Sequence, residues 1–415
     1  MPHIRDEFRR AQAAVGALFL LLGFQYATWA SRLPAIKARL ALTDGELGVL
    51  LMTCGIGAAA SFPLVAALIK RYGSARVCAG SAALLAFVPL ALGVAPGFPV
   101  ALLIMCVDGV GIACLDVAMN AQGAQVEERF ARKTMGKLHA TFSGGALLGA
   151  LLASAASAAT RNLEAHFAIA AAVTLLIVAY ARRDLLTDPK PAPAPTSATA
   201  KAPAKRRRRI HLKITMPARV TLWAGAAMAF ATIVEGAMND WTALYLGSVA
   251  KAAVGLTPLG IAVFSIAMVV ARICSDSWRK RWGDARVVVL GALLACVSLT
   301  AAVLLHAVVP ALVGFALVGL GIASVAPCVY VAAAGSGTDA LALVSAMGTV
   351  GLLIGPGAIG LIAGAAGLAW AMGGVALAAA VVAICSSRIT WRDAPGHAEA
   401  GAGDEPAVGA NPVVA

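Results

Sequence analysis

Two pairs of residues stand out for the chemistry they could do inside otherwise apolar runs. Asp116 and Asn120 are four positions apart, and Glu235 and Asn239 repeat that acid-then-amide spacing. Residues four apart share one face of a helix. Each pair therefore sets a titratable carboxyl beside an amide that can donate and accept hydrogen bonds. A charged side chain at mid-bilayer costs about 2.5–3.5 kcal/mol on insertion scales, so such residues turn toward protein or a watery cavity. Burial favours the neutral carboxyl and a neighbouring cation the charged one. An acid exposed to one side and then the other can therefore load a proton and release it. Asp116 is read as the first candidate proton carrier, against the plainer role of a structural acid bonded between helices. Glu235 is read as a second carrier or as the partner of a neighbouring helix. Asp108, about 80° round the helix from Asp116, ranks below it. Gln25, Trp29 and Arg32 are spaced by four and three on one face. Arg32 could hold an anionic or hydroxylated solute with its fork of donors or snorkel to the headgroups. Trp29, Tyr26, Trp241 and Tyr245 could stack on a solute ring or anchor at the membrane interface.

The elements that must position these residues follow from composition. The chain has 415 residues, 60% hydrophobic and 13% charged, with mean hydropathy +0.85. A soluble domain carries about 25% charged residues, so a soluble enzyme, a disordered chain and a fibrous repeat are excluded. A crossing needs about 20 apolar residues. Apolar windows predict twelve spans, at 11–31, 46–69, 77–95, 99–121, 135–158, 164–181, 218–246, 255–275, 286–306, 308–332, 340–364 and 366–388. They must be helices, because backbone polar groups cannot be left open to lipid. Thr43-Asp44-Gly45-Glu46 predicts a capping box. Thr257-Pro258 predicts a cap residue before a proline at the first helical position, and Gly355-Pro356-Gly357 predicts a kink.

Charge distribution sets the topology. All but five of the 33 Lys and Arg residues fall on the side of the termini, the exceptions being Arg32, Lys37, Arg39, Arg161 and Lys251. Both termini are therefore expected in the cytoplasm. The run Lys205-Arg206-Arg207-Arg208-Arg209 reads as a topology anchor near anionic headgroups, not as a nucleic-acid patch. The expected organisation is an N-terminal six-helix bundle (1–183), a basic Pro-rich cytoplasmic linker (184–217), a second bundle (218–390) and a disordered tail (391–415). The eight cysteines form no C-x-x-C pair, and no P-loop, metal or nucleophile constellation is legible. No cofactor and no enzyme activity are expected.

The two halves repeat each other. Lys70-Arg71-Tyr72-Gly73-Ser74-Ala75-Arg76-Val77 recurs 210 positions later as Lys280-Arg281-Trp282-Gly283-Asp284-Ala285-Arg286-Val287, and Gly109-Val110-Gly111-Ile112-Ala113 as Gly319-Leu320-Gly321-Ile322-Ala323. Gly145 and Gly149 pair with Gly351 and Gly355 at an offset of 206. Matches in order at nearly constant offset predict an all-α membrane protein of two parallel-related six-helix bundles, turned about an axis along the membrane normal.

With these residues in view, the chain resembles the major facilitator superfamily over nearly its whole length. That family's loop between helices 2 and 3 reads Gly-x-x-x-Asp-Arg-x-Gly-Arg-Arg. Lys70-Arg71-Tyr72-Gly73 stands at its core here, with Lys70 in place of the acid; the second copy runs from Asp276 through Arg281-Trp282-Gly283. The resemblance implies that Arg71, Gly73, Asp276, Arg281 and Gly283 belong to cytoplasmic gate loops, and that helices 1, 4, 7 and 10 line a central cavity. The segment Gly111-Ile112-Ala113-Cys114-Leu115-Asp116-Val117-Ala118-Met119-Asn120 is similar to the fucose-permease-like branch, which reads Gly-x-x-Cys-Leu-Glu-Thr-Ala-Ala-Asn-Pro. Thr141-Phe142-Ser143 resembles that branch's Thr-Phe-Asn, and the chain as a whole looks closest to YbjJ-type transporters. The resemblance implies a secondary transporter of the bacterial inner membrane working by alternating access, and suggests proton-coupled symport of a small polar solute such as a sugar. Proton-driven efflux of amphipathic compounds is the alternative, and the amides Gln25, Asn120 and Asn239 lean against it. The expected substrate-binding set is Gln25, Trp29, Arg32, Asn120, Ser143, Asn239 and Trp241. The expected partners are the solute, protons and the lipid bilayer, with no nucleic acid, and a monomer is expected.

Overall fold

The computed structural model describes residues 2–132, 134–159, 162–187, 219–334, 336 and 338–391. The regular elements among them are all helical. The first half holds α1 (Pro2–Ala30), α2 (Leu33–Arg39), α3 (Asp44–Tyr72), α4 (Ser74–Val94), α5 (Phe98–Phe130), α6 (Met135–Ala159) and α7 (Leu163–Ala181). The second holds α8 (Arg219–Asp240), α9 (Thr242–Ser248), α10 (Leu259–Trp282), α11 (Asp284–Leu305), α12 (Val308–Ile322), α13 (Val325–Ala334), α14 (Thr338–Ala366) and α15 (Leu368–Ser387). Twelve of these segments, with α12 and α13 counted as one, are long and apolar enough to cross a membrane. Large apolar side chains such as Leu103, Leu176, Val297 and Trp370 stand on the outside, as lipid contact requires. Most of the expected linker and of the tail lies outside the described residues. Leu186 is described, and it is docked on the first half: Gln122 bonds both its N–H (2.8 Å) and its carbonyl (2.7 Å).

Successive spans alternate in direction. One end of the molecule, here the entry end, carries the start of α1, the turns at Gly73 and Gly283 and the close of α15. The opposite, far end carries α2, α9 and the α10 entry. The capping box forms as expected: Thr43 Oγ1 accepts the Glu46 N–H at 3.2 Å, and Glu46 Oε2 accepts the Thr43 N–H at 2.8 Å. Two details differ from expectation. Thr257 does not cap α10. Its hydroxyl is held by the carbonyl of Val254 at 3.0 Å, in a 3-10 turn over Val254–Leu256, and Pro258 takes the cap position. The span expected over 218–246 bends at Trp241 into α8 and α9, although Trp241 still donates to Ala237 O and accepts from Tyr245 N, both at 2.9 Å. The helix α14 continues on both sides of Pro356.

The repeat is visible in the packing. Gly73 (φ 82°, ψ 155°) and Gly283 (φ 77°, ψ 155°) turn the chain in the same conformation, which only glycine adopts without strain. Each is preceded by an arginine lying over an aromatic ring, Arg71 on Tyr72 and Arg281 on Trp282. A Cβ on Gly109 would sit 1.8 Å from Cys54 O, and one on Gly319 would sit 2.5 Å from Phe264 O; Cys54 and Phe264 are themselves 210 apart. Gly145 meets Leu20 O and Gly351 meets Ala229 O in the same way, at 1.9 and 2.1 Å. The small residues thus set matching backbone contacts in each bundle: α3 on α5 and α10 on α12, then α1 on α6 and α8 on α14.

The bundles meet toward the far end. Gly48 of α3 abuts Gly360 of α14, and Gly357 faces Met52. Ser154 of α6 donates to Gly255 O at 2.6 Å.

Candidate functional site

Asp116 lies midway along α5 and is exposed. The lipid-facing stripe of that helix is Val100, Leu103 and Val107. At 100° per residue Asp116 points roughly 170° away from it, so its exposure is toward the interior of the molecule. Asn120 donates to Asp116 Oδ1 at 3.1 Å and to its backbone carbonyl at 2.8 Å. The first acid–amide pair therefore forms as the spacing predicts.

The second pair is organised by a residue the sequence reading grouped with the loop cations. Arg272 sits within the crossing part of α10. It donates through Nη1 to Ser143 Oγ on α6 at 2.9 Å and through Nη2 to Glu235 Oε1 on α8 at 3.4 Å. The Arg272 and Glu235 side chains keep 30% and 33% of their exposure. Asn239 donates to the backbone carbonyl of Glu235 at 3.0 Å rather than to its carboxyl. His139, exposed near the start of α6, is within electrostatic reach of Arg272. The signal for Arg272 was present: it is a lone cation inside an otherwise apolar window.

At the far end the polar groups are sealed. Gln25 donates to Asp108 Oδ1 at 3.0 Å, and the Cys54 thiol lies 3.7 Å from Asp108 Oδ2. The Tyr26 hydroxyl donates to Asp240, joining α1 of the first half to α8 of the second. Trp29 and Trp241 are fully buried, with Trp29 edge-on to Tyr26 at 5.1 Å. Neither indole is open to stack on a solute in this conformation. Tyr245 is also buried and donates to Ala302 O at 3.0 Å. Arg32 does not reach outward. It is 4% exposed and donates to Ser157, and burial draws its pKa down from the usual value. The structure thus divides the expected substrate set. Asn120, Ser143 and Asn239 lie with the two acid–amide pairs, whereas Gln25, Trp29, Arg32 and Trp241 lie in the sealed far end. Asp240 was not singled out in the sequence, because it stands at the end of its apolar run where an acid reads as a boundary.

The entry-end turns hold the expected loop residues. Arg71 and Arg281 are exposed, and next to the second turn Arg279 grips Asp284 with two bonds of 2.8 and 3.0 Å. The side chain of Asp276 lies outside the described residues. Among the described residues no group of three or more His, Cys, Asp or Glu is placed to hold a metal.

Comparison with known proteins agrees with this architecture. The family described as Major Facilitator Superfamily matches residues 14–339 and, in a second placement, 259–414. The uncharacterised transporter y4wD of Sinorhizobium fredii is 32% identical over 320 residues, covering 77% of this chain and 81% of that protein. The membrane protein MosC of Rhizobium meliloti is 30% identical over 353 residues, covering 83% and 81%. Among solved structures, a mutant of the nucleoside transporter NupG superposes with TM-score 0.70 at 12% identity, covering 91% of this chain and 98% of that one. A bacterial homologue of the human lysosomal transporter Spinster, inward-facing and occupied, gives 0.69 at 14% identity, covering 90% and 95%. The chain belongs to the major facilitator superfamily and is a multi-pass membrane transporter, not an enzyme.

Proposed function

We propose that this transporter carries a small polar solute, such as a sugar, in symport with protons. The observation that carries the reading is the Arg272 bridge, in which one guanidinium holds Ser143 of the first half and Glu235 of the second. A half-exposed ion pair is worth about 0.2–1 kcal/mol, weak enough to be broken and remade in every cycle. A solute carrying hydroxyl groups can take over the guanidinium donors, and a proton on Glu235 frees them. Asp116, facing inward beside Asn120, is the principal proton carrier. The match of Gly111–Asn120 to the fucose-permease-like pattern supports a sugar, and a charged, amide-bearing lining disfavours amphipathic compounds.

The bundles at 1–183 and 218–390 rock as units about this site, with the basic linker between them. By the distribution of Lys and Arg the entry end faces the cytoplasm of a bacterial inner membrane. The conformation sealed at the far end is then the inward-facing one. The test is uptake into proteoliposomes under an imposed pH gradient, screened over sugars and sugar acids. Asp116→Asn is expected to lose accumulation against a gradient while keeping solute exchange. Accumulation that follows the gradient unchanged in that variant removes Asp116 from the proton path.

A further inference from the structure

Two acids lie outside the arrangement just proposed. Asp108 on α5 is 0% exposed and Asp240 on α8 is 4% exposed. They come from different halves, yet both lie close to the Tyr26 hydroxyl and the Cys54 thiol. The groups that touch them are neutral: Gln25 and Cys54 on Asp108, Tyr26 on Asp240. No ion pair among the described residues reaches either acid.

The charged groups on the elements packed around them are engaged elsewhere, and the buried His166 of α7, which lies near Arg32, bonds neither acid. Lys37 of α2 pairs with Asp44, Arg39 turns to Leu92 O, Arg32 turns to Ser157, and Arg272 of α10 is held by Ser143 and Glu235. Tyr245 of α9 bonds Ala302 O. Arg76 and Cys78 of α4, His139 of α6, Cys328 and Tyr330 of α13 and Cys385 of α15 lie toward the entry end along their helices, and Cys106 of α5 lies beyond Cys54.

A carboxylate buried without a counter-charge is strongly disfavoured, and the group takes up a proton instead.

We propose that Asp108 and Asp240 form a proton-holding site at the far end, each carboxyl keeping a proton while the two halves are apposed there and exchanging it with water when they part. Parting breaks the bond from Tyr26 to Asp240 and wets both acids; the O–H bond of each carboxyl then breaks and the proton passes to water. Closing from that side requires both protons to return. The link to solute movement rests on the proton-coupled reading above; the protonation of the two acids in the sealed state does not.

Infrared spectroscopy of the full-length protein in lipid, at neutral pH and with aspartate labelled by carbon-13 in the side-chain carboxyl, separates the two. The expected result is a carbonyl stretch of protonated aspartic acid that moves with the label. It should shift in Cys54→Ser and in Tyr26→Phe, which perturb the neighbours and keep the acids, and should weaken in Asp108→Asn and Asp240→Asn. Ionised aspartates alone, or a protonated band indifferent to all four variants, overturn the proposal. The perturbing pair decides the matter if an Asn variant fails to fold. A band of this kind in a protein whose uptake ignores the pH gradient leaves the site standing and sinks proton coupling. The reverse result sinks the site and leaves coupling in place.

Discussion

Arg272 Nη1 lies 2.9 Å from Ser143 Oγ, and Arg272 Nη2 lies 3.4 Å from Glu235 Oε1. One side chain of α10 therefore ties the first half to an acid of its own half. Replacing it should do more than remove a surface charge. Arg272→Ala is expected to lower the initial rate of uptake at least tenfold in proteoliposomes, because it leaves Glu235 without its cation and Ser143 without its donor. Arg272→Lys keeps the charge but not the two-pronged geometry and should fall between wild type and Ala. Ser143→Ala deletes one hydrogen bond worth about 1 kcal/mol, roughly fivefold in apparent affinity, with the maximal rate retained. Wild-type rates and affinities in all three variants would show that the bridge has no part in transport.

Glycine contacts within a bundle and between bundles should respond differently. A Cβ on Gly109 would fall 1.8 Å from Cys54 O inside the first half. Gly109→Ala should therefore cost about 1–3 kcal/mol by overpacking and lower the melting temperature. Gly48 instead faces Gly360 across the two halves, where an added Cβ would lie 2.8 Å from Gly360 Cα. Gly48→Val is expected to leave melting close to wild type and to push the halves apart at the far end. The readout is labelling of Cys54, as the sole cysteine, by a thiol reagent: faster in Gly48→Val, unchanged in a variant at the exposed, contact-free Gly80.

The architecture was legible because lipid leaves the chain few options. Span positions, the capping box at Thr43 and the repeat at Gly73 and Gly283 all follow from local pattern. The site was legible only in part, for a physical reason. Helical spacing tells which residues share a face, so Asp116–Asn120 could be read. It does not tell which face meets which neighbour. Arg272 counts with the cations of the terminal side by its place in the chain; only the approach of α6 shows that it turns inward. Trp29 and Trp241 carry the right chemistry for a solute ring, but both are buried in a core cluster that draws residues from the two halves. Asp240 gains its significance from Tyr26, a residue 214 positions away.

The capping box offers a test of how firmly the far end is built. Thr43 and Glu46 bond each other's backbone N–H groups at the start of α3, one turn from the Gly48–Gly360 contact. Thr43→Ala should cost about 0.5–2 kcal/mol and fray that turn, raising Cys54 labelling along with the loss in melting temperature. Glu46→Gln keeps an acceptor for the Thr43 N–H and should fall closer to wild type on both measures. A loss in Glu46→Gln as large as that in Thr43→Ala would show that the negative charge of Glu46 at the helix start, and not a neutral acceptor, is what that position supplies.

The two entry-end turns give a prediction that depends on the repeat itself. Gly73 and Gly283 share φ near +80° and ψ of 155°, a conformation that costs a side-chain-bearing residue about 1–3 kcal/mol. A Cβ on Gly283 meets nothing within 4 Å, so the strain there is purely in the backbone and not in packing. Gly73→Ala and Gly283→Ala should destabilise the protein by similar amounts. The turns belong to different bundles and share no partner, so the double variant should lose the sum of the two. Thermal melts of the full chain check this. A double variant no worse than either single one would mean that the turns are coupled through the entry end, and that the bundles do not behave as separate units there.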